Sequence, residues 1–98
     1  MARFVINQKV YDTEKMTLVG RVRKWYELKW ILQQIFGEGV GRMEDCEMYR
    51  SNKGNYLLVR ESGGSVIGQA ITKEEAKNLL MQYDYDNYTK LFGELEEA

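Results

Sequence analysis

The stretch EMYRSNKGNYLLVR, residues 47–60, decides the fold. Two strand-like runs, residues 47–50 and 56–60, flank a short polar segment in which Gly54 can take a positive φ. Runs of this kind around such a turn are typical of a β-hairpin. We therefore expect an antiparallel sheet built from strands that are neighbours in the sequence.

The C-terminal third continues this hairpin and then changes to a helical pattern. Gly63 and Gly64 mark a turn before a strand at residues 65–71, and Thr72 and Glu75 have the spacing of a capping box. Two helices follow, separated by a break at residues 84–87. Their apolar stripes are Ala76, Leu79, Leu80 and Tyr83 in the first, and Tyr88, Leu91, Phe92 and Leu95 in the second. Glu94, Glu96 and Glu97 oppose the helix dipole at the end of the second helix, so we expect this end to fray.

The N-terminal half predicts two strands and a helix. Residues 4–11 read as a strand interrupted by a turn near Asn7, and residues 16–22 read as a second strand after a polar break. From residue 24 to residue 36 the period becomes helical. The face of this helix is formed by Trp25, Leu28, Leu32 and Ile35, widened by Trp30, Ile31 and Phe36. Gly37 predicts the end of the helix, and the glycine-rich residues 37–41 predict a mobile loop.

These elements predict an α+β fold. We expect one domain, residues 1–98, in which an antiparallel sheet of about four to five strands carries two to three helices packed on it. A domain of this size with a wide apolar helix is also a candidate homodimer.

The amino-acid composition removes several common catalytic chemistries. The chain contains no histidine, no proline and a single cysteine, Cys46, so it can form neither a Cys/His metal cluster nor an internal disulfide. Cys46 lies among Glu44, Asp45 and Glu47, whose charges raise a thiol pKa, so we interpret it as structural. The same carboxylates are a weak match to a cation or acid–base site, and a solvated turn explains them better. We expect no cofactor, no bound metal and no enzymatic activity, with catalysis by carboxylates, lysines or tyrosines as a third hypothesis.

The sequence predicts a cytoplasmic protein. No apolar run approaches the roughly 20 residues that a bilayer span requires, and the N-terminus does not resemble a signal peptide. A lone cysteine also suits a reducing compartment. We therefore expect no membrane association.

Charge is unevenly distributed along the chain. Residues 1–42 carry eight Lys/Arg and four Asp/Glu, whereas residues 43–98 carry six and eleven. A basic cluster is formed by Arg21, Arg23, Lys24 and Lys29 around Trp25 and Tyr26. An acidic-aromatic end is formed by Asp84, Tyr85 and Asp86, with Tyr83 and Tyr88 placed either in this patch or in the core. Either region can steer a partner, and charges that merely solvate the surface are the alternative.

Three motifs resemble a known family. KVYDTE at 9–14 with LVG at 18–20 resembles a KxYDTxxAxxxG opening, MYR at 48–50 with GNYLL at 54–58 resembles LYRTxxGxYFL, and GG at 63–64 with ITKEEA at 71–76 resembles GG…LTxEEA. This order is similar to a family of small, mostly uncharacterised proteins of Gram-positive bacteria, their phages and mobile elements. Some proteins of this kind are anti-CRISPR inhibitors. The chain departs from the pattern at Met16, where the family prefers alanine, and residues 25–41 have no counterpart.

Taken together, the surface and the resemblance imply a non-catalytic inhibitor that docks on a bacterial CRISPR-Cas effector. The candidate contacts are Arg21, Arg23, Lys24, Lys29, Glu38, Arg42, Asp84, Tyr85 and Asp86. The alternative is a small nucleic-acid-binding regulator, in which the basic cluster and the hairpin tyrosines Tyr49 and Tyr56, near Arg50 and Lys53, contact DNA or RNA.

Overall fold

The fold is α+β, as the sequence predicts. A computed structural model of the protein describes residues 2–27, 34–35, 37 and 39–98. One antiparallel sheet has the strand order β3-β4-β5-β6, and β1 and β2 form a separate two-stranded hairpin. The bounds are β1 Arg3–Ile6, β2 Lys9–Asp12, β3 Thr17–Glu27, β4 Gly41–Arg50, β5 Tyr56–Ser62, β6 Ser65–Ile71, α1 Lys73–Tyr83 and α2 Tyr85–Phe92. No helix in the described part of the chain is long and apolar enough to cross a membrane.

Both helices cover one face of the four-stranded sheet. Alternation along the strands sends the side chains of Val22, Met48 and Leu58 to this face, where they form one buried cluster with Leu80 of α1 and Tyr88 of α2. Met48, Leu58 and Leu80 are almost completely inaccessible to solvent. Burying each of these side chains contributes roughly 1.5–3 kcal/mol. This cluster is the main core.

The β1–β2 hairpin covers part of the opposite face. Leu57 points away from the helices and is nevertheless fully buried. The Phe4 ring of β1 lies against Gly68 of β6, where a Cβ atom would stand only 2.6 Å from the ring. The hairpin turns at Asn7 and Gln8, which have φ of 51° and 64°, the signs that a type I′ turn requires. The turn predicted near Asn7 is therefore present.

A close approach joins β3 to the helices. β3 contains a bulge between Leu18 and Gly20. A Cβ atom on Gly20 would lie 2.6 Å from Leu80 Cδ2 and 3.0 Å from Asp84 Oδ2. Glycine at this position therefore allows α1 to sit directly on the strand.

The predicted helix at residues 24–36 is wrong in its first part. Residues 24–27 belong to β3, where exposed and less exposed side chains alternate with the period of a strand. Cross-strand pairing with β4 extends this strand beyond the predicted end at residue 22. Of the rest, Gln34 and Ile35 have helical backbone, whereas residues 28–33 and Phe36 lie outside the described residues.

The loop and turn predicted before the central hairpin are also shorter than expected. β4 begins at Gly41, so Glu44, Asp45 and Glu47 lie in a strand and not in a solvated turn. Their charges are opposed by cations of β3, which makes a strand favourable despite its polarity.

The capping box at the start of α1 is half formed. The Glu75 amide donates to Thr72 Oγ1 at 3.1 Å, as predicted. The Glu75 carboxylate, however, forms an ion pair with Lys24 of β3. α2 begins at Tyr85, so the predicted break at residues 84–87 is wrong beyond Asp84, which alone separates the two helices. α2 ends at Phe92, so Leu95, predicted on its stripe, lies beyond the helix and is exposed.

Candidate interaction surface

Strands β3 and β4 form a ribbon that extends past the rest of the sheet. Ten residue pairs join β3 to β4, from Thr17–Arg50 to Glu27–Gly41. Only four pairs join β4 to β5, and they stop at Glu47–Val59. Residues 23–27 and 41–45 therefore pair with each other without a third strand beside β4.

The outer face of this ribbon, the face turned away from the helices, combines charge with apolar surface. Arg21 pairs with Glu47 at 3.4 Å and Arg23 pairs with Asp45 at 3.1 Å. Trp25 follows at the same two-residue spacing, opposite Met43, and its side chain is 49% exposed. We call Arg21, Arg23, Trp25, Met43, Asp45 and Glu47 the outer ribbon face. Exposed ion pairs of this kind add at most about 1 kcal/mol each, so they order the side chains more than they stabilise the fold.

On the helix side, a polar network links the ribbon to β5 and β6. Tyr26 Oη donates to Gln69 Oε1 at 2.7 Å. The Arg60 guanidinium lies 3.5 Å from the centre of the Tyr26 ring, and its Nε donates to Glu44 at 3.0 Å. These contacts hold the end of the ribbon in a fixed position relative to the sheet.

Tyr26 and Cys46 are both protonated at neutral pH. Burial raises the pKa of the Tyr26 phenol well above its usual value, and Cys46 raises it further against the opposing charge of Arg60. Burial also raises the pKa of the Cys46 thiol. Cys46 is buried in the main core. It therefore presents no reactive thiolate, and its position is that of a structural residue.

A groove of about 600 Å³ lies where β4 and β5 diverge. Its walls carry both signs of charge: Arg42, Glu44, Asp45, Glu47, Arg60 and Glu61. In the described residues, no group of three or more His, Cys, Asp or Glu side chains is placed to hold a metal ion. The carboxylates are instead engaged by arginines, as in the Arg60–Glu44 pair.

Asp84 joins two regions that the sequence separates by 63 positions. Its Oδ2 accepts from the Arg21 backbone amide at 3.0 Å and from Asn87 Nδ2 at 2.8 Å. Burial alone would raise the Asp84 pKa, but the hydrogen bonds from Asn87 and Arg21 outweigh it and lower the pKa below its usual value. The acidic-aromatic end and the basic cluster therefore meet at the β3 bulge.

The aromatic residues near Asp84 divide between core and surface. Tyr88 is buried, whereas Tyr83 and Tyr85 are exposed. Tyr85 stacks on Tyr88 at 5.9 Å and accepts a hydrogen bond from the Leu95 amide. Tyr83 borders, with Arg21 and Arg23, a groove of about 410 Å³ beside the edge of β3. Asp86 lies exposed in the first turn of α2.

The predicted contact residues do not form one patch. Arg21 and Arg23 lie on the outer ribbon face, and Asp84 adjoins them. Lys24 and Arg42 point to the helix side of the sheet, where they pair with Glu75 and Glu44. Lys29 and Glu38 lie outside the described residues.

Trp25 is the most exposed aromatic side chain of the ribbon, and its spacing to Leu28 and Leu32 wrongly predicts a helix face. The sequence signal for a strand at this position is the matched spacing of opposite charges: Arg21 and Arg23 are two residues apart, as are Asp45 and Glu47. Only a pair of strands uses that spacing on one face.

No protein-family model, curated protein or solved structure matches this chain.

Proposed function

We propose that this chain is a non-catalytic protein-binding module that docks on its target through the outer ribbon face. The observation that carries the proposal is the exposed Trp25 beside Met43, bordered by ordered arginines. Tryptophan, methionine and arginine are the residue types that protein interfaces favour, and tryptophan and arginine dominate their binding energy.

The ion pairing favours a protein target over nucleic acid. Each described cation of the basic cluster faces a carboxylate: Arg21 faces Glu47, Arg23 faces Asp45, and Lys24 faces Glu75. A phosphate approaching these cations would meet the carboxylates as well. Tyr56, a candidate for base stacking, is buried in the core and has no free ring face. Both features weaken the nucleic-acid alternative.

The specific target in this proposal is a bacterial CRISPR-Cas effector in the cytoplasm, and the support for it is the motif resemblance. A mixed-charge face with an aromatic centre suits docking on protein surface better than imitation of nucleic-acid phosphates. The chain would then inhibit by blocking nucleic-acid access or a conformational step of the effector.

The test is inhibition of purified CRISPR effector nucleoproteins, with cleavage of their target DNA as the readout. We expect the wild-type chain to inhibit at least one effector and Trp25→Ala to weaken inhibition by at least about tenfold. Tyr85→Ala is the matched control, because it removes an exposed aromatic ring from α2 and leaves the outer ribbon face intact. An equal loss of inhibition by Tyr85→Ala would indicate that the acidic-aromatic end, and not the outer ribbon face alone, contacts the effector. Failure to inhibit any effector would refute the inhibitor proposal.

Fluorescence anisotropy with labelled single-stranded and duplex DNA and RNA tests the alternative. We expect no binding at low salt. Tight binding whose affinity falls steeply with added salt would instead indicate phosphate contacts and a nucleic-acid-binding regulator.

A further inference from the structure

Among the described residues, nothing hydrogen-bonds to the outer edge of β3 over the second half of its length. β3 lies at the end of the sheet order, so only one of its two edges pairs with β4. The Arg21 amide points to the other edge, where it donates to Asp84. Because the backbone groups of a strand alternate between its two edges, those of Arg23, Trp25 and Glu27 point outward as well. No hydrogen bond from the described residues reaches these outward groups.

This open segment is complementary to a second copy of itself. If two β3 strands pair antiparallel about a two-fold axis at Trp25, Arg23 faces Glu27 of the second copy and Glu27 faces its Arg23. The two Trp25 rings face each other, and Lys24 faces Tyr26 of the second copy. Opposite charges and aromatic pairs directly across an antiparallel ladder are stabilising. Trp25, Arg23 and Glu27 all point their backbone groups outward, so each of these three pairs can exchange two hydrogen bonds.

Among the antiparallel pairings centred on a residue whose backbone groups point outward, the sequence favours this register. Pairing centred on Arg23 would place the two Arg23 side chains opposite each other and would require the edge at Arg21, which Asp84 already occupies. Pairing centred on Glu27 would place the two Glu27 side chains opposite each other. Like charges directly opposite destabilise a ladder. Of these three registers, the one centred on Trp25 brings opposite charges together and uses only backbone groups that no described residue hydrogen-bonds.

We propose that the chain forms a homodimer by antiparallel pairing of residues 23–27 of β3, giving a continuous eight-stranded sheet. A long, open edge strand favours pairing with another chain unless it is covered. The pairing uses backbone groups, so the side chains of the outer ribbon face stay exposed and those of the two copies become contiguous. This inference does not depend on the proposed function, and a dimer would present two adjacent copies of that face to a target.

The test is molar mass by light scattering and sedimentation, over a range of concentrations, for the wild type and two charge variants. The wild type should approach twice the 11.5 kDa of one chain as concentration rises. Glu27→Arg alone and Arg23→Glu alone each place like charges opposite each other, so each should weaken dimerisation at least about tenfold. A mixture of the two variants restores both opposite-charge pairs and should form a heterodimer.

Restoration in the mixture separates pairing from misfolding, because a misfolded variant cannot be rescued by another variant. Trp25→Pro is a second probe: it removes an outward N–H without touching the bonds to β4, and should give a folded monomer. A wild-type chain that stays monomeric at all concentrations would overturn the proposal. A strand of a different protein would then be the remaining candidate for pairing with this edge. A dimer that neither charge variant weakens would overturn the proposed register.

Discussion

The two halves of β3 belong to one strand but have different surroundings. In residues 17–22, the bulge and Gly20 bring the strand against Leu80, and Asp84 accepts a hydrogen bond from the outward-pointing amide of Arg21. In residues 23–27, no described residue hydrogen-bonds to the outward backbone groups, and Trp25 is half exposed. We call residues 17–22 the closed half, which anchors the helices, and residues 23–27 the open half, because no hydrogen bond from the described residues reaches its outer edge.

This difference separates stability from binding within a single element. Substitutions in the closed half disturb the main core, so they should change the free energy of unfolding. Substitutions of Arg23, Trp25 and Glu27 in the open half change exposed side chains, so they should change association and leave the folded monomer as it is.

The largest expected effect is that of Leu80→Ala in the closed half. Leu80 is fully buried between α1 and β3, so its truncation should leave a cavity and lower the free energy of unfolding by about 3 kcal/mol. Urea unfolding followed by circular dichroism measures this change. Leu95→Ala is the matched control, since Leu95 is exposed, and it should change stability by less than about 0.5 kcal/mol.

A smaller decrease in the free energy of unfolding is expected for Gly20→Ala. The new Cβ would overlap Leu80 Cδ2, and overpacking of this kind costs roughly 1–3 kcal/mol. Combining it with Leu80→Ala removes the overlapping atom. The double variant should therefore lose less stability than the two single losses added together. Strict additivity of the unfolding free energies would show that Gly20 does not set the helix–strand distance.

The next effect is the pH-dependent contribution of Asp84. The hydrogen bonds from Asn87 and Arg21 hold the Asp84 pKa below its usual value in the folded protein, so the ionised form stabilises the fold at pH values above the usual carboxyl pKa. This stabilisation disappears as the pH falls through the folded-state pKa. Asp84→Asn should cost about 1 kcal/mol at neutral pH. The difference from wild type should shrink at acidic pH. Asp86→Asn, which changes an exposed carboxylate in the first turn of α2, should change stability less. A pH-independent Asp84→Asn difference would contradict this role.

The smallest effect on folding is expected for Trp25→Ala in the open half. In dilute protein, where the chain is monomeric, the free energy of unfolding of this variant should match that of wild type within about 0.5 kcal/mol. A loss comparable to that of Leu80→Ala would mean that Trp25 belongs to a core and not to a surface.

The sequence was most informative where local rules act alone. The turn at residues 51–55, the glycine pair at 63–64 and the Thr72 cap follow from residue chemistry within a few positions, and the structure contains all three. The extension of β3 through Glu27 and of β4 back to Gly41 depends on pairing between segments distant in the chain. For that reason the helical spacing of Trp25, Leu28 and Leu32 predicts a helix from residue 24, whereas residues 24–27 form the end of β3.

The candidate surface was only partly predictable for the same reason. The charges of Arg21 and Arg23 mark the right strand, but their pairing with Glu47 and Asp45 depends on strand register. The hydrogen bond from Arg21 to Asp84 depends on how the helices pack, and no spacing within the sequence encodes it.

The most direct test of the division within β3 is amide hydrogen exchange, measured residue by residue at several protein concentrations. We expect the Arg21 amide to exchange slowly at every concentration, because Asp84 accepts its hydrogen bond. The Arg23 and Trp25 amides should exchange rapidly in dilute protein and become protected as concentration rises. Protection of Arg23 and Trp25 that is the same at every dilution would contradict the account, because the edge would then be covered within a single chain.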